Sequence, residues 1–181
     1  MNAPRANLYL VGFTGTGKST VGRHAARELG FEFIDSDRAI EASHGKPVAQ
    51  IFTEEGEPAF RALERRFIES GHPTERCVVA CGGGLVVPDG MLDLVTARGV
   101  VICLHAPLST VLQRTARTAH RPLLQGENRE ERLRSLYAAR EAVYRRTSAM
   151  VLTEGRPMRE IVAHVLRVYR EEERAWAPAR P

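Results

Sequence analysis

The stretch GFTGTGKS, residues 12–19, constrains this chain more than any other part of its sequence. It matches the pattern G-x-x-x-x-G-K-[ST], in which a glycine-rich backbone turns its N–H groups toward phosphate oxygens. The apolar run NLYLVGF precedes it, and a helical pattern over residues 18–30 follows it. A helix N-terminus placed in this way favours a bound anion. The sequence therefore predicts a phosphate-binding loop between a first strand and a first helix.

Two side chains of this loop indicate a nucleoside triphosphate together with a metal ion. Lys18 is expected to reach the β- and γ-phosphates, and the hydroxyl of Ser19 is expected to bind Mg²⁺. The chain has only two lysines, Lys18 and Lys46, and one of them stands where such a loop requires a compact ammonium group. The alternative, a chance match in an ordinary glycine-rich turn, is disfavoured by the strand before the loop and the helix after it.

Apolar runs alternate with helical patterns along the rest of the chain. Four further strands are predicted, at FEFID, CVVAC, VVICLHA and MVLT. Strands that are apolar on both faces and alternate with helices indicate a parallel sheet covered on both sides. We therefore expect an α/β doubly wound fold, with ligands beyond the carboxyl ends of its strands. The 181 residues suit one domain, with a core at about residues 8–172 and a flexible tail at 175–181.

Charge and composition argue against several other classes of protein. The net charge of +4 arises from basic residues spread among acidic ones, so we expect a small polyanion such as a nucleotide as partner and no nucleic acid. No stretch approaches the roughly 18 apolar residues of a membrane span, and no export signal precedes the loop. A cytoplasmic protein with no membrane partner is therefore expected. The three cysteines are predicted to be buried thiols rather than disulfides or zinc ligands.

Two carboxylates end the second predicted strand. Asp35 and Asp37 are two residues apart, so we expect them to lie on the same side of the strand. In one interpretation, Asp37 or Ser36 caps a helix that begins at Arg38. In the other, one carboxylate lies near a metal ion and one near an acceptor hydroxyl, because phosphoryl transfer requires a positioned or deprotonated nucleophile. The two interpretations are compatible.

Three later segments add candidate ligand contacts. The region from Arg38 to residue 70 is predicted to be helical in pieces, broken at HGKP and at GEP, and its last piece carries Arg61 and Glu64 one turn apart. As an exposed ion pair they would contribute only a few tenths of a kcal/mol. The run CGGG after the third strand suits a ligand that approaches the backbone closely. The polar segment that begins at HRPLL suits a mobile lid at about residues 119–130.

Together, the segments GFTGTGKST, FIDSD, GEPAFRALE, CGGG, HRPLL and REAVY occur in the order and spacing typical of shikimate kinases. The resemblance runs from about Leu8 to Leu166. It implies a small P-loop kinase, related to the nucleoside monophosphate kinases, with a five-stranded parallel sheet and a short lid. It further implies transfer of the γ-phosphoryl group of ATP to the 3-hydroxyl of shikimate, in aromatic amino-acid biosynthesis, with one Mg²⁺ as cofactor.

The resemblance also implies roles on the nucleotide side. Lys18 and the lid residue Arg121 match residues that neutralise charge on the transferred phosphoryl group. Ser19 and Asp35 match the pair that holds Mg²⁺, Asp35 through a water molecule. The residues that match the ATP-binding positions are Gly15, Thr16, Gly17, Lys18, Ser19, Thr20, Arg114, Arg121 and Arg156, with Arg114 over the adenine and Arg156 in the adenine loop.

On the acceptor side, Asp37 matches the carboxylate that contacts the shikimate hydroxyls and acts as base. Arg61 and Arg140 match the pair that binds the planar substrate carboxylate, for which guanidinium groups are suited. Glu64 matches a residue that supports Arg61. The glycines Gly82, Gly83 and Gly84 match the backbone contact to the substrate. The helices that bind shikimate are expected at about residues 36–70.

The chain departs from the family pattern at Cys81, where threonine or serine is usual. Because sulfur is a poor acceptor, we expect weaker affinity for Mg²⁺. Two alternatives stay open at this point: another small-hydroxyl kinase, resembling gluconate kinase, and a non-catalytic ligand sensor. The first has no need of Arg61 and Arg140, and the second would normally be fused to a DNA-binding segment. We expect a monomer.

Overall fold

Five strands form one sheet in the computed structural model, which describes residues 5–116 and 128–176. Their bounds are β1 Asn7–Val11, β2 Glu32–Asp35, β3 Cys77–Ala80, β4 Gly99–His105 and β5 Ala149–Leu152. The order across the sheet is β2-β3-β1-β4-β5, and every pairing is parallel. The described residues also form eight helices: α1 Lys18–Leu29, α2 Ser36–His44, α3 Val48–Glu54, α4 Gly56–Ser70, α5 Met91–Thr96, α6 Leu108–Thr115, α7 Arg129–Tyr144 and α8 Met158–Ala175.

Alternate side chains of the central strand β1 enter two separate cores. Leu8 and Leu10 pack with α1 and α8 on one face, while Tyr9 and Val11 pack with residues of α2 to α7 on the other. All four side chains are almost fully buried. Because successive side chains of a strand point to opposite faces, a strand covered on both sides must be apolar throughout. The predicted five-stranded parallel sheet with helices on both faces is confirmed.

Most element ends lie close to where the sequence places them. Helix α1 ends at Gly30, which adopts a left-handed conformation with φ of 66°, as the predicted helix stop requires. The break predicted at GEP is confirmed, since α3 ends at Glu54 and α4 begins at Gly56, whose φ is 84°. Pro58 fits there because the first turn of a helix needs no N–H donor from it. The described part of the predicted lid, residues 128–130, contains the start of α7.

The carboxyl ends of β1, β2 and β3 lie side by side, and this arrangement assembles the candidate site. The phosphate loop follows β1, Asp35 ends β2, and the glycine run follows β3. At the start of the loop, Gly12 has φ of 129°, and a side chain there would collide with the carbonyl oxygen of Leu104 in β4. Glycine at this position therefore allows the loop to lie directly against the sheet.

Candidate active site

The phosphate loop forms the floor of a cavity of about 190 Å³. The Nζ atom of Lys18 donates to the carbonyl oxygens of Gly12 and Phe13, at 2.8 Å each, and thereby holds the turn. Helix α1 begins at Lys18, so its N-terminal N–H groups face the same space. The cavity is lined by Gly15, Gly17, Lys18, Ser19, Thr20, Asp35, Asp37, Ala80, Cys81, Gly82 and Gly83. Thr16 differs from these residues, because it is buried and its hydroxyl donates to the carbonyl of Phe13.

The two residues expected to hold Mg²⁺ lie in contact. The hydroxyl of Ser19 donates to Oδ2 of Asp35 at 2.8 Å. The Ser19 hydroxyl and the Asp35 carboxylate are both hard oxygen ligands, and Mg²⁺ in kinases uses one or two such groups beside phosphates and water. The donor set therefore fits the ion. No cluster of three or more histidine, cysteine, aspartate or glutamate side chains that would suit a metal occurs among residues 5–116 and 128–176.

Asp35, rather than Asp37 or Ser36, is the N-cap of α2. Its side chain accepts a long hydrogen bond of 3.5 Å from the backbone N–H of Arg38, and the helix begins at Ser36 instead of Arg38. Asp37 therefore lies in the first helical turn, not on the strand. Both carboxylates still line the phosphate cavity, because the turn from β2 into α2 points back over the sheet edge.

A second and larger cavity, of about 540 Å³, adjoins the first. Every residue predicted for the acceptor side lines it: Asp37, Arg61, Glu64, Gly82, Gly83, Gly84 and Arg140. Asp37, Gly82 and Gly83 line both cavities. The carboxylate of Asp37 is thus the acidic group at the junction between the phosphate loop and the acceptor cavity. This juxtaposition is what transfer between two bound molecules requires.

Arg61 and Glu64 form a half-buried pair rather than a surface ion pair. Nη1 of Arg61 lies 2.6 Å from Oε2 of Glu64, and the Glu64 side chain is only 1% exposed. Nη2 of Arg61 contacts Glu57 at 2.7 Å on the solvent side. With a carboxylate at each edge, the guanidinium plane is fixed at the wall of the acceptor cavity. The interpretation of Arg61 and Glu64 as an exposed pair is therefore wrong.

Arg140 reaches the acceptor cavity from the opposite side, on α7. Its Nη1 atom donates to the carbonyl oxygen of Gly83 at 3.2 Å, and its guanidinium lies 5.9 Å from the ring centre of Phe13. The hydroxyl of Tyr144, one turn later, donates to the same carbonyl. These contacts fasten α7 to the glycine run. Arg61 and Arg140 consequently present two cations to one cavity from two different helices.

The glycine run brings bare backbone against these side chains. A Cβ atom on Gly84 would collide with the guanidinium of Arg61, and one on Gly82 would collide with the carboxylate of Asp37. Glycine at both positions therefore allows a carboxylate and a guanidinium group to approach the end of β3 closely. The hydroxyl of Ser36 accepts from the N–H of Gly82 at 2.8 Å and holds the run against α2.

Burial strongly affects the protonation of the carboxylate beside Arg61. Desolvation raises the pKa of Glu64 from 4.5 to about 7, although the guanidinium of Arg61 opposes the rise. Between pH 4.5 and about 7, the folded chain therefore holds a proton on Glu64 that the unfolded chain releases. The resulting stabilisation is complete below pH 4.5 and is lost as the pH rises through about 7.

Replacing Glu64 with glutamine should remove this pH dependence, because the amide does not titrate. We expect the free energy of unfolding of the wild type, relative to E64Q, to fall by roughly 1–3 kcal/mol between about pH 5 and pH 8. Urea unfolding at a series of pH values measures the difference. Glu57→Gln, at the exposed side of the same arginine, is the control and should leave the slope unchanged. A wild-type minus E64Q difference that is constant with pH would contradict the raised pKa.

Burial determines the protonation state of Cys81, which lies beside the phosphate loop where the family usually has threonine or serine. The side chain is buried, and desolvation raises the pKa of its thiol far above the ordinary value. Cys81 therefore stays a neutral thiol between Lys18 and the two aspartates. All three cysteines are buried and unbridged, as the sequence predicts. The weaker Mg²⁺ affinity expected from sulfur at this position stays a prediction.

The structure describes two of the three arginines predicted on the nucleotide side. Arg114 lies against the phosphate loop, with Nη1 3.4 Å from the carbonyl oxygen of Gly15. Arg156 is exposed in the loop between β5 and α8. Arg121, the predicted lid arginine, lies outside the described residues. Among the predicted adenine contacts, the structure thus places only Arg114 directly beside the phosphate loop.

Two kinds of residue were not recognised from the sequence. One is the apolar wall of the acceptor cavity, and the other is a pair of polar side chains that hydrogen-bond to the backbone of the glycine run and of the phosphate loop. The wall includes Phe13 of the phosphate loop together with Phe52, Phe60, Leu133 and Leu136, whose helical spacing is that of an ordinary core. The polar side chains are those of Tyr144 and the buried Thr153. The sequence signals for Tyr144 were its place in REAVY and its spacing from Arg140. Nothing local in the sequence distinguishes Thr153.

Comparison with known proteins agrees with this geometry. The family model for shikimate kinase matches residues 14–170. The shikimate kinase of Halorhodospira halophila is 46% identical over 162 residues, covering 89% of this chain and 92% of the relative. The shikimate kinase of Thermodesulfovibrio yellowstonii is 38% identical, covering 90% and 94% of the two chains.

Solved structures give the same relationship. A shikimate kinase from Acinetobacter baumannii in complex with shikimate superposes with a TM-score of 0.86 at 38% identity, covering 93% of this chain and 95% of that one. A gluconokinase from Sinorhizobium meliloti 1021 reaches a TM-score of 0.61 at 21% identity, covering 94% and 95%. The second likeness shows a shared fold alone. With the family model, the relatives and the two-cavity site in agreement, this chain belongs to the shikimate kinase family.

Proposed function

We propose that this chain transfers the γ-phosphoryl group of ATP to the 3-hydroxyl of shikimate, giving shikimate 3-phosphate and ADP. The observation that carries the proposal is the position of Asp37, which lies at the junction of the phosphate cavity and a cavity with two arginines. A donor phosphoryl group held by the loop and an acceptor hydroxyl held by the arginines would meet at this carboxylate. Membership of the shikimate kinase family supports the same reaction.

On the acceptor side, Arg61 and Arg140 bind the ring carboxylate. Their guanidinium groups approach from α4 and α7, and each is held by a separate set of oxygen acceptors. Glu64 orients Arg61 from the buried side. The backbone at Gly82–Gly84 would lie against the substrate ring, since these glycines and the apolar wall line the same cavity. Two fixed cations fix the direction of the carboxylate, and hence the hydroxyl that faces Asp37.

On the donor side, the loop backbone and Lys18 hold the β- and γ-phosphates. Gly15 through Thr20 supply N–H groups and hydroxyls, while Arg114 lies over the adenine and Arg156 belongs to the adenine loop. Ser19 and Asp35 would hold Mg²⁺, which when bound neutralises charge on the β- and γ-phosphate oxygens. Lys18 adds a second positive charge where negative charge develops in the transition state.

Asp37 orients the acceptor hydroxyl and accepts its proton. As the bond from the 3-oxygen to the γ-phosphorus forms, the bond from that phosphorus to the bridging oxygen of ADP breaks, and the hydroxyl proton passes to the Asp37 carboxylate. Arg121, the predicted lid arginine, would neutralise charge on the transferred group. Such an arrangement acts mainly by position and charge, because phosphoryl transfer needs little covalent help from the protein.

The two alternatives to a shikimate kinase are not favoured. A gluconate-kinase-like enzyme has no need of paired arginines at the acceptor, and the likeness to the Sinorhizobium gluconokinase extends to the fold alone. A non-catalytic sensor has no need of a carboxylate between the two cavities. In the described residues, Lys18, Ser19, Asp35 and Asp37 are assembled as a catalytic site requires.

A coupled ADP-release assay with Mg·ATP tests the proposed reaction. ADP release should depend strongly on shikimate and should stay at background with gluconate or quinate. Release with gluconate alone would retain the phosphate loop and refute the assignment of the arginine pair. Shikimate binding without release would favour the sensor.

Replacing Arg140 with alanine should weaken shikimate binding selectively. We expect the KM for shikimate to rise about 10- to 100-fold, because one charge-assisted contact to the carboxylate is lost, while the KM for ATP stays within about twofold. Steady-state kinetics with each substrate varied gives both constants. Arg134→Ala, an exposed arginine on the same helix, is the matched control and should change neither. An unchanged KM for shikimate in R140A would rule out the carboxylate assignment.

Monomeric state and cytoplasmic location stay predictions. No helix in residues 5–116 or 128–176 is both long and apolar enough to cross a membrane.

A further inference from the structure

A buried threonine outside every predicted motif connects three parts of the nucleotide side. Thr153 is the first residue after β5, and only 3% of it is exposed. Its backbone N–H donates to the carbonyl oxygen of His105 at 2.9 Å and so continues the pairing of β5 with β4. Its hydroxyl lies 3.0 Å from the carbonyl oxygen of Thr16 in the phosphate loop and 3.2 Å from that of His105, so its single proton is shared between a loop acceptor and a sheet acceptor. The side chain of Thr153 therefore joins the sheet edge to the loop.

Arg114, on helix α6, hydrogen-bonds to the same residue. Its Nη2 atom donates to the carbonyl oxygen of Thr153 at 2.8 Å, and Nη1 donates to the hydroxyl at 3.1 Å. Nη1 also lies 3.4 Å from the carbonyl oxygen of Gly15. Arg114 and Thr153 together hold two successive carbonyl groups on the outer side of the loop, those of Gly15 and Thr16.

The geometry of the peptide bond carries this contact to the phosphate side. In a planar trans peptide the C=O of one residue and the N–H of the next point in opposite directions. The carbonyl of Thr16 is directed at Thr153, and Gly17 lines the phosphate cavity, so we infer that the N–H of Gly17 is directed at that cavity. An N–H held in place before the ligand arrives binds it without a further ordering cost.

We propose that Thr153 is a positioning residue for ATP, acting through the Thr16–Gly17 peptide and through the guanidinium of Arg114. Its hydroxyl is the essential group, because one oxygen both donates to the loop and accepts from Arg114. This inference rests on the proposed function only in taking the loop as the nucleotide site. It predicts an effect on nucleotide binding that is separate from any effect on shikimate.

Four variants isolate the hydroxyl. Thr153→Ser keeps it and loses the methyl group, Thr153→Ala loses both, and Thr153→Val loses only the hydroxyl. Thr96→Val is the matched control, since the Thr96 hydroxyl also donates to a backbone carbonyl, at 2.8 Å, but at the end of α5 before the amino end of β4. Thermal unfolding of each variant identifies any that is not folded, and the Ser and Ala variants add no bulk to a buried site.

Isothermal titration with Mg·ADP measures nucleotide binding without turnover, and the KM values for ATP and shikimate complete the set. The Ala and Val variants should raise the Kd for ADP and the KM for ATP about three- to tenfold, while the KM for shikimate stays within about twofold. The Ser and Thr96→Val variants should resemble the wild type. Equal losses in the Ser and Ala variants, or an equal rise in both KM values, would overturn the role of the hydroxyl. A wild-type chain that binds no ADP would overturn the proposed function as well.

Discussion

Replacing Lys18 with alanine should reduce turnover by about 10²- to 10³-fold, the loss typical when one preorganised charge is removed from a transition state. The ammonium group is placed by two hydrogen bonds of 2.8 Å, to the carbonyls of Gly12 and Phe13, at the start of α1. Without it, the charge that develops between the β- and γ-phosphates loses its nearest protein cation. The coupled ADP-release assay at saturating shikimate measures the effect.

Two further variants make the Lys18 result specific. Lys46→Ala removes the only other lysine, which pairs with Glu54 and Glu55 at the surface, and should leave the KM for ATP unchanged. Lys18→Arg keeps the charge but should not restore turnover, because a planar guanidinium does not fit the space of a compact ammonium. Activity of K18A within about threefold of the wild type would contradict the role of the loop in phosphoryl transfer.

Replacing Asp37 with asparagine should lower turnover about 10²- to 10⁴-fold while the KM for ATP changes little. The amide keeps the size of the side chain beside Gly82 but cannot accept the hydroxyl proton. The loss therefore reports on the carboxylate itself and not on packing. Steady-state kinetics with both substrates, together with the Kd for ADP, separates turnover from nucleotide binding.

Asp93→Asn is a suitable control for D37N. Asp93 lies on α5, and its side chain is 77% exposed, with a long contact of 3.6 Å to Arg146. Its replacement should alter neither turnover nor either KM. Near-normal turnover in D37N would remove Asp37 both as base and as the group that orients the hydroxyl. If only the KM for shikimate rises, Asp37 has a role in binding but not in the chemical step.

Structural features that depend only on neighbouring residues could be predicted well from the sequence. The phosphate loop, Gly30 at the end of α1 and the alternation of apolar runs with helical patterns depend on residues close together in the chain. The expected approach of Arg61 to Glu64 is also local, since the two lie one turn apart on α4. Local backbone geometry is sufficient for such contacts, so a single sequence specifies them.

Other features depend on contacts between distant residues. Asp35, not its neighbours, caps α2, because the chain turns from β2 directly into the helix. The wall formed by Phe52, Phe60 and Leu133 has the helical spacing of any apolar core, and only packing leaves one side of it facing a cavity. The pKa of Glu64 likewise depends on burial, which the local sequence does not reveal.

Local sequence was sufficient to predict a phosphate loop on a parallel α/β sheet, and the spaced motifs identified the candidate acceptor residues. Packing of the strands and helices brings these parts together. Asp37 lies between two cavities, Arg140 donates to the carbonyl of Gly83, and Thr153 contacts Thr16, 137 residues away in the chain. The physical reason is that a loop or helix cap is stabilised by neighbours along the chain. A catalytic junction instead requires strands and helices to pack in one order, and that order brings distant backbone groups within hydrogen-bond distance.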